Sequence, residues 1–190
     1  MAYDDQAEHL IPTLRRSIAA LRDADVPFAL GGSVACWARG GPAPYHDVDL
    51  MVPPNRAEEA LAALGAAGMR TEKPPEGWLY KAFDGDVLVD VIFEPTSITI
   101  DEACIEACET VNLQAMECKA LPLEDVFVSK LNALDELNLD FSGLLAIARP
   151  VREQVDWSDV RERTSESPYA RAFVRLAEDL GVVPAAAEPA

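Results

Sequence analysis

Basic residues are scarce in this chain: 16 lysines and arginines stand against 33 aspartates and glutamates, which gives a formal net charge of −17. An acidic chain of this kind repels the phosphate backbone of nucleic acids at long range, so its charge disfavours a nucleic-acid partner. Cationic small molecules and basic proteins are easier partners, although the same charge also fits a role in solubility alone.

Long apolar runs and paired cysteines are lacking as well. No stretch reaches the roughly 18 apolar residues that cross a membrane, and the segment MAYDDQAEHL lacks the basic-then-apolar pattern of a secretory signal. The cysteines form no C-x-x-C pair, which is typical of reduced, buried thiols; they are Cys36, Cys104, Cys108 and Cys118. At 190 residues we expect one soluble, cytoplasmic domain with its own core.

Helical and alternating periodicities predict a mixed α/β (α+β) chain. The expected helices lie at residues 10–25, 34–38, 56–67, 100–109, 123–137 and 141–149, with two more beginning at Asp156 and Ser167. The expected strands lie at residues 28–30, 47–52, 69–71, 78–83, 87–93 and 111–119, with a hairpin turn at 84–86. We therefore predict a small mixed β-sheet flanked by helices over residues 1–120, a helical C-terminal portion over 121–182 packed on this core, and a disordered tail over 183–190.

Two aspartates interrupt an apolar strand in the segment HDVDLMV. Since side chains alternate along a strand, Asp47 and Asp49 point to one face while His46 points to the other. Two unpaired carboxylates buried side by side are unfavourable, and a cation that prefers hard oxygen ligands, such as Mg²⁺, removes the problem. A third acid, Asp90, interrupts the apolar strand VLVDVIF in the same way. If the two strands are neighbours, the three acids converge and can hold two metal ions.

Gly31-Gly32-Ser33 lies between an apolar strand and a helix, where glycine lets a phosphate approach the backbone closely. The helix N-terminus offers free N–H groups to such a phosphate, and the Ser33 hydroxyl can cap the helix or bind the ligand. Each of these signals alone also fits a plain turn or a pair of strand-edge acids. Their order along the chain makes the combination specific.

The segment LGGSVACWARGGPAPYHDVDLMV, followed by VLVDVIF, resembles the signature of nucleotidyltransferases in the DNA polymerase beta superfamily. That signature joins a Gly-Gly/Ser turn, a helix, an acid pair on a strand and a third acid on a later strand. The resemblance covers roughly residues 26 to 95. It implies a stand-alone bacterial nucleotidyltransferase that moves a nucleoside monophosphate from a nucleoside triphosphate, ATP among the candidates, and releases pyrophosphate.

The resemblance also implies a role for each part of the site. Residues 31–33 hold the β- and γ-phosphates, while Asp47, Asp49 and Asp90 form the catalytic set and bind two Mg²⁺ ions. Asp90 can also act as general base toward the acceptor. Lys130 is a further nucleotide-binding candidate, unless its side chain only covers an apolar helix face.

Four other side chains are weaker candidates. Arg39 and Lys81 could contact phosphate, but simple solvation explains them better. Trp78 and Tyr80 could stack on a base or an acceptor ring, but core packing explains them better.

Three functions fit these residues. The first is nucleotidylation of a hydroxyl on a small molecule, and the acidic chain favours a cationic acceptor such as an aminosugar. The second is a toxin-type enzyme acting on tRNA or a protein. The segment around Lys130-Leu131 loosely resembles a helix found in such enzymes. The third is a catalytically silent antitoxin or interaction module. A protein partner or homodimer is compatible with each of these functions. An acidic pocket beside Asp90 would favour the small-molecule acceptor, and a basic groove there would favour nucleic acid.

Overall fold

A seven-stranded mixed β-sheet forms the centre of the computed structural model, which describes residues 3–45 and 47–185. Its strands are β1 (Ala29–Leu30), β2 (Asp47–Met51), β3 (Arg70–Glu72), β4 (Leu79–Asp84), β5 (Val87–Ile92), β6 (Glu109–Leu113) and β7 (Met116–Ala120). The helices are α1 (Tyr3–Asp23), α2 (Gly32–Trp37), α3 (Ala57–Ala66), α4 (Glu102–Ala107), α5 (Leu123–Asn132), α6 (Phe141–Val151), α7 (Trp157–Arg163) and α8 (Pro168–Asp179). The predicted fold class, a mixed sheet flanked by helices, is confirmed.

The strand order β3-β4-β5-β2-β1-β7-β6 determines where the acids meet. β2 runs parallel to β5 and β1 runs parallel to β7, whereas all other neighbouring strands in the sheet are antiparallel. The chain leaves β2, forms α3 and returns through β3 and β4, so β5 lies directly beside β2. In this register Asp49 is the neighbour of Asp90.

The helix after the glycine turn begins earlier than predicted. α2 begins at Gly32, its N-cap residue is Gly31, and no side chain caps it. The expectation that Ser33 caps this helix is therefore wrong. Ser33 lies inside the first turn, because Gly32 enters the helix with a positive φ of 47° that a residue with a side chain rarely adopts.

The segment predicted as one strand at residues 111–119 is a hairpin of β6 and β7. Its turn lies at Gln114 and Ala115, whose φ angles of 50° and 61° are both in the left-handed region. Turns of this kind usually carry glycine or asparagine, so the sequence offers no turn signal here. The new strand β6 also shortens the predicted helix, because Glu109 belongs to the strand and α4 ends at Ala107.

The predicted helix at residues 123–137 ends early, at Asn132. A few residues later the carboxylate of Asp135 accepts hydrogen bonds from the backbone N–H groups of Leu137 (2.8 Å) and Asn138 (2.9 Å). Such local bonds compete with the helical ladder, so the chain turns into a loop before α6. That loop leaves Leu137 94% exposed.

Helices α7 and α8 both pack on α5, which also packs on α2. The rings of Phe127 and Trp157 lie 4.9 Å apart, and the Trp157 indole N–H donates to the carbonyl of Arg152. One continuous apolar core includes residues from both the sheet and these helices. The boundary at residue 120 remains a prediction, since a shared core does not locate it.

Two sequence-based expectations fall wholly or partly outside the described residues. These are the orientation of His46 and most of the tail, since the described part ends at residue 185 and includes a buried Val183. Among the described residues, no helix combines the length and apolarity that a membrane crossing needs.

Replacing Phe127 with alanine tests the packing of α5 against α7. The side chain is fully buried, so its loss should reduce the free energy of unfolding by about 3–5 kcal/mol through lost burial and a residual cavity. Urea unfolding followed by circular dichroism measures this. Leu137→Ala is the matched control and should change stability by less than about 0.5 kcal/mol; equal losses for the two variants would contradict the packing described.

Candidate active site

Three carboxylates converge beside the glycine turn, on the neighbouring strands β2 and β5. One carboxylate oxygen from each of Asp47, Asp49 and Asp90 lies within 4.8 Å of the others. Asp49 is 7% exposed, and Asp47 and Asp90 are half-buried. The alternation of side chains along β2 and the Asp49–Asp90 register place all three on one face of the sheet.

The local charges show how unfavourable this arrangement is without a cation. Burial raises the pKa of Asp49 to about 6; the Lys130 ammonium opposes this rise, and the neighbouring carboxylates of Asp47 and Asp90 add to it. Burial also raises the pKa of Asp90, against the lowering effect of Lys81. Both carboxyl groups are therefore harder to ionise in the folded protein than in water.

The donor set fits a divalent cation. All three groups offer hard oxygen ligands, which Mg²⁺ prefers. In addition, the buried Oδ1 of Asp90 has no hydrogen-bond partner among the described residues. A buried oxygen without a partner is unfavourable, and a nearby positive charge, whether a metal ion or an ammonium group, would stabilise it.

The glycine turn packs closely on β2, and at Gly32 an added side chain would collide with the Asp49 carboxylate. The backbone N–H of Gly31 donates to the carbonyl of Asp49 at 2.9 Å. A Cβ at Gly32 would lie 1.7 Å from Oδ2 of Asp49, and a Cβ at Gly31 would lie 2.2 Å from Cε of Met51. The Gly-Gly sequence thus lets the α2 turn close over Asp49, whatever ligand the turn binds.

Two cavities meet at the acids. The first has a volume of about 430 Å³ and includes Ser33, Asp47 and Lys130 in its lining, with mostly apolar walls from α6 and the loop before it. The second has a volume of about 360 Å³ and is lined by all three aspartates, together with Gly32 and Lys130. Asp47 and Lys130 border both cavities, so they lie at the junction.

Lys130 reaches this junction from α5. No described acid lies close enough to form an ion pair with it, yet its charge lowers the pKa of Asp49. The position is compatible with the predicted contact to a triphosphate. That role remains a prediction.

The weaker candidates have different surroundings. Arg39 has a 9% exposed side chain that pairs with Glu109 and donates to two backbone carbonyls, so it fastens α2 to the sheet rather than lining a cavity. Lys81 faces Asp90, with its Nζ 3.8 Å from Oδ1. Trp78 is 41% exposed and lines the second cavity, whereas Tyr80 packs on Phe93 with ring centroids 4.8 Å apart.

Glu94 is a site residue that the sequence analysis missed. It is exposed and lines the second cavity beside Asp90 and Trp78. Its spacing of four residues from Asp90 is the available signal, because residues two and four apart on a strand lie on the same face. Because β5 ends at Ile92, Glu94 lies beyond the strand and the alternation of side chains does not predict its position.

The charge of Asp49 should destabilise the metal-free protein at neutral pH. Its pKa rises from 3.8 to about 6 on folding, so the folded state binds the proton more tightly and stability should fall as pH rises from 4 to 7. Asp49→Asn should therefore raise the free energy of unfolding at pH 8 by about 1–3 kcal/mol. Urea unfolding in a chelator measures this, with the exposed turn acid Asp86→Asn as control; a less stable Asp49→Asn variant would contradict the account.

Alanine at Gly32 should disturb the acids rather than only the turn. The new Cβ would displace the Asp49 carboxylate, and we expect Mn²⁺ affinity to fall about 10- to 100-fold. Gly85→Ala is the matched control, since Gly85 also has a positive φ, of 62°, but an added Cβ there meets nothing within 4 Å. Mn²⁺ titration of both variants distinguishes displacement of the Asp49 carboxylate from backbone strain. Equal Mn²⁺ affinities of Gly32→Ala and Gly85→Ala would reject the displacement.

Comparison with known proteins identifies the fold. No family model matches the sequence, and no curated protein matches it either. The solution structure of the antibiotic-resistance factor ANT(2″)-Ia aligns with a TM-score of 0.66 at 16% identity, covering 92% of this chain and 98% of that one. The crystal structure of ANT(2″)-Ia with adenylyl-2″-tobramycin aligns with a TM-score of 0.65 at 19% identity, covering 87% and 97%.

A third structure, of a Thermotoga maritima protein described provisionally as a nucleotidyltransferase, aligns with a TM-score of 0.51 at 16% identity. It covers 65% of this chain and 84% of its own. Identities this low show the fold and nothing finer. The chain has the nucleotidyltransferase fold, as the resemblance to the DNA polymerase beta superfamily implied.

Proposed function

We propose that the protein transfers a nucleoside monophosphate from a nucleoside triphosphate to a hydroxyl group of a cationic small molecule. The observation that carries this proposal is the convergence of three carboxylates, one buried and two half-buried, in a cavity that meets a second cavity at Asp47. A single-substrate site needs only one cavity, whereas a transfer between two substrates needs a place for each beside the reacting groups.

The first cavity suits the nucleotide. It borders Ser33 and Lys130, which forms no ion pair with a described acid and can face a triphosphate. Its apolar walls include Leu134, Leu144 and Ile147, which can pack on a base. The second cavity suits the acceptor, because it contains Asp90 and lies on the other side of the Asp47–Lys130 junction.

The acids divide the chemistry between them. Asp47 and Asp49 would hold a Mg²⁺ ion, which would supply positive charge to neutralise the phosphates. Asp90 receives the proton of the acceptor hydroxyl, whose oxygen bonds to the α-phosphorus while the bond from that phosphorus to pyrophosphate breaks. Burial raises the pKa of Asp90, which makes its carboxylate a stronger proton acceptor than that of an exposed aspartate.

The lining of the second cavity favours a cationic acceptor over a nucleic acid. Its ionisable residues are four acids and one base: Asp47, Asp49, Asp90, Glu94 and Lys130. An acidic wall attracts amines and repels phosphate backbones. Trp78 adds an exposed ring that can pack on a sugar face. The similarity to a structure containing adenylyl-2″-tobramycin supports an amine-bearing acceptor and ATP as donor.

The two other functions are less well supported. A toxin-type enzyme acting on tRNA would need a basic groove beside Asp90, where the cavity lining is predominantly acidic. A silent interaction module would have no need to keep the buried Asp90 Oδ1 without a hydrogen-bond partner among the described residues.

Nucleotide transfer can be assayed directly with tobramycin as the acceptor probe. We expect Mg²⁺-dependent pyrophosphate release with at least one of ATP, GTP, CTP and UTP, because the acids and both cavities are in place. Asp47→Asn and Asp49→Asn should each reduce the rate by about 10²-fold or more. Asp86→Asn, a change of equal charge in the exposed hairpin turn, should leave the rate unchanged.

Calorimetry separates donor binding from acceptor choice. Metal-dependent triphosphate binding without transfer to tobramycin would keep the donor half of the proposal and redirect the search to other amines. No metal-dependent binding of any of the four triphosphates, in the presence or absence of tobramycin, would reject the enzymatic function.

A further inference from the structure

Lys81 belongs to the same row of side chains as two of the acids. On the antiparallel pair β4–β5, Lys81 lies opposite Asp90, and on the parallel pair β5–β2, Asp90 lies beside Asp49. Residues that are neighbours across strands project from the same face of a sheet. The three side chains therefore form one line across β4, β5 and β2, with Asp90 in the middle.

The ammonium of Lys81 faces a specific oxygen. Nζ lies 3.8 Å from Oδ1 of Asp90, and the side chains are 29% and 14% exposed. Oδ1 is the atom that has no hydrogen-bond partner among the described residues. Lys81 is therefore an electrostatic neighbour of this oxygen, too far away for a hydrogen bond.

The other described lysines have different environments. Lys73 pairs with Glu58 on the surface, and Lys119 donates to the carbonyls of Glu106 and Cys108. Lys130 lies at the junction of the cavities. Of the four described lysines, only Lys81 forms an ion pair with a member of the acidic triad.

We propose that Lys81 replaces the second, acceptor-side metal ion, so that the site binds one divalent cation, at Asp47 and Asp49. This inference rests on the proposed function and modifies the two-ion expectation from the sequence. A divalent ion bound at Oδ1 would lie close to the Lys81 ammonium, and like charges at that separation repel strongly in a partly buried site. Lys81 is part of the chain and the pairing of β4 with β5 holds it opposite Asp90, whereas a metal ion must be recruited from solution.

Lys81 acts as a positioning residue in this arrangement. Its charge favours the ionised form of Asp90 and holds the carboxylate on the acceptor side of the site. The proton of the acceptor hydroxyl then passes to Asp90 as the acceptor oxygen bonds to the α-phosphorus and pyrophosphate leaves. Lys81 itself exchanges no proton and forms no bond.

Counting bound ions tests this role independently of catalysis. The probe is Mn²⁺ with α,β-methylene-ATP, whose carbon bridge prevents transfer, and the electron paramagnetic resonance signal of free Mn²⁺ gives the number bound. We expect one ion per chain in the wild type and two in Lys81→Met. Lys81→Arg, which keeps the charge, should bind one, and so should the control Lys73→Met, which removes a surface lysine outside the site.

The contrary results are equally clear. Two ions in the wild type, or one ion in a folded Lys81→Met variant, would overturn the inference; Lys81→Gln provides the same comparison if the methionine variant fails to fold. No ion bound by the wild type with the nucleotide would contradict the proposed function itself, and the inference with it. That outcome is distinguishable because it is independent of Lys81.

Discussion

The mutual repulsion of three carboxylates on one sheet face is the constraint on which the rest of this structure depends. Asp49 and Asp90 are neighbours because β2 and β5 pair in parallel, and Asp47 joins them two residues earlier on β2. Ordinary packing would place apolar side chains at these positions, since β2 and β5 are otherwise rich in buried residues. The repulsion between these carboxylates destabilises the folded state, and neighbouring side chains compensate part of it.

Positive charge approaches the acids from two sides. Lys130 comes from α5 above the junction of the cavities, and Lys81 comes from β4, beyond Asp90. Both lower the pKa of a triad member, yet the pKa values of Asp49 and Asp90 remain raised. The two lysines therefore compensate only part of the repulsion. A divalent cation held by the three carboxylates would reduce the remaining repulsion.

Much of this site follows from short-range sequence rules. The alternation of side chains along a strand is enough to place Asp47 and Asp49 on one face, and a charge inside VLVDVIF identifies Asp90 as exceptional. The proximity of the two strands does not follow, because it depends on the return of the chain through β3 and β4. Lys81 illustrates the limit: its role depends on a cross-strand register, and its own segment, LYKAF, carries no special pattern.

The errors in the predicted fold have a common physical origin. The hairpin of β6 and β7 turns at Gln114 and Ala115 without glycine, and the side-chain hydrogen bonds of Asp135 hold the loop that follows α5. In both places the local conformation is set by contacts that no periodicity reveals. The first of these segments lies away from the acids. The second shapes a wall of the first cavity, so the lining of that cavity was less predictable than the three acids.

The same constraint explains how this fold can be shared at 16–19% identity. Few positions are fixed by the geometry of the acids: the acids themselves, the parallel pairing of β2 with β5, and a residue without a side chain at Gly32, where a Cβ would meet Asp49. Elsewhere any apolar residue of suitable volume can fill the core, because cores tolerate extensive exchange when patterning is kept. Trp78 and Glu94 line the second cavity without belonging to this geometry, so under the proposed function the choice of acceptor can change through such residues while the acids remain in place.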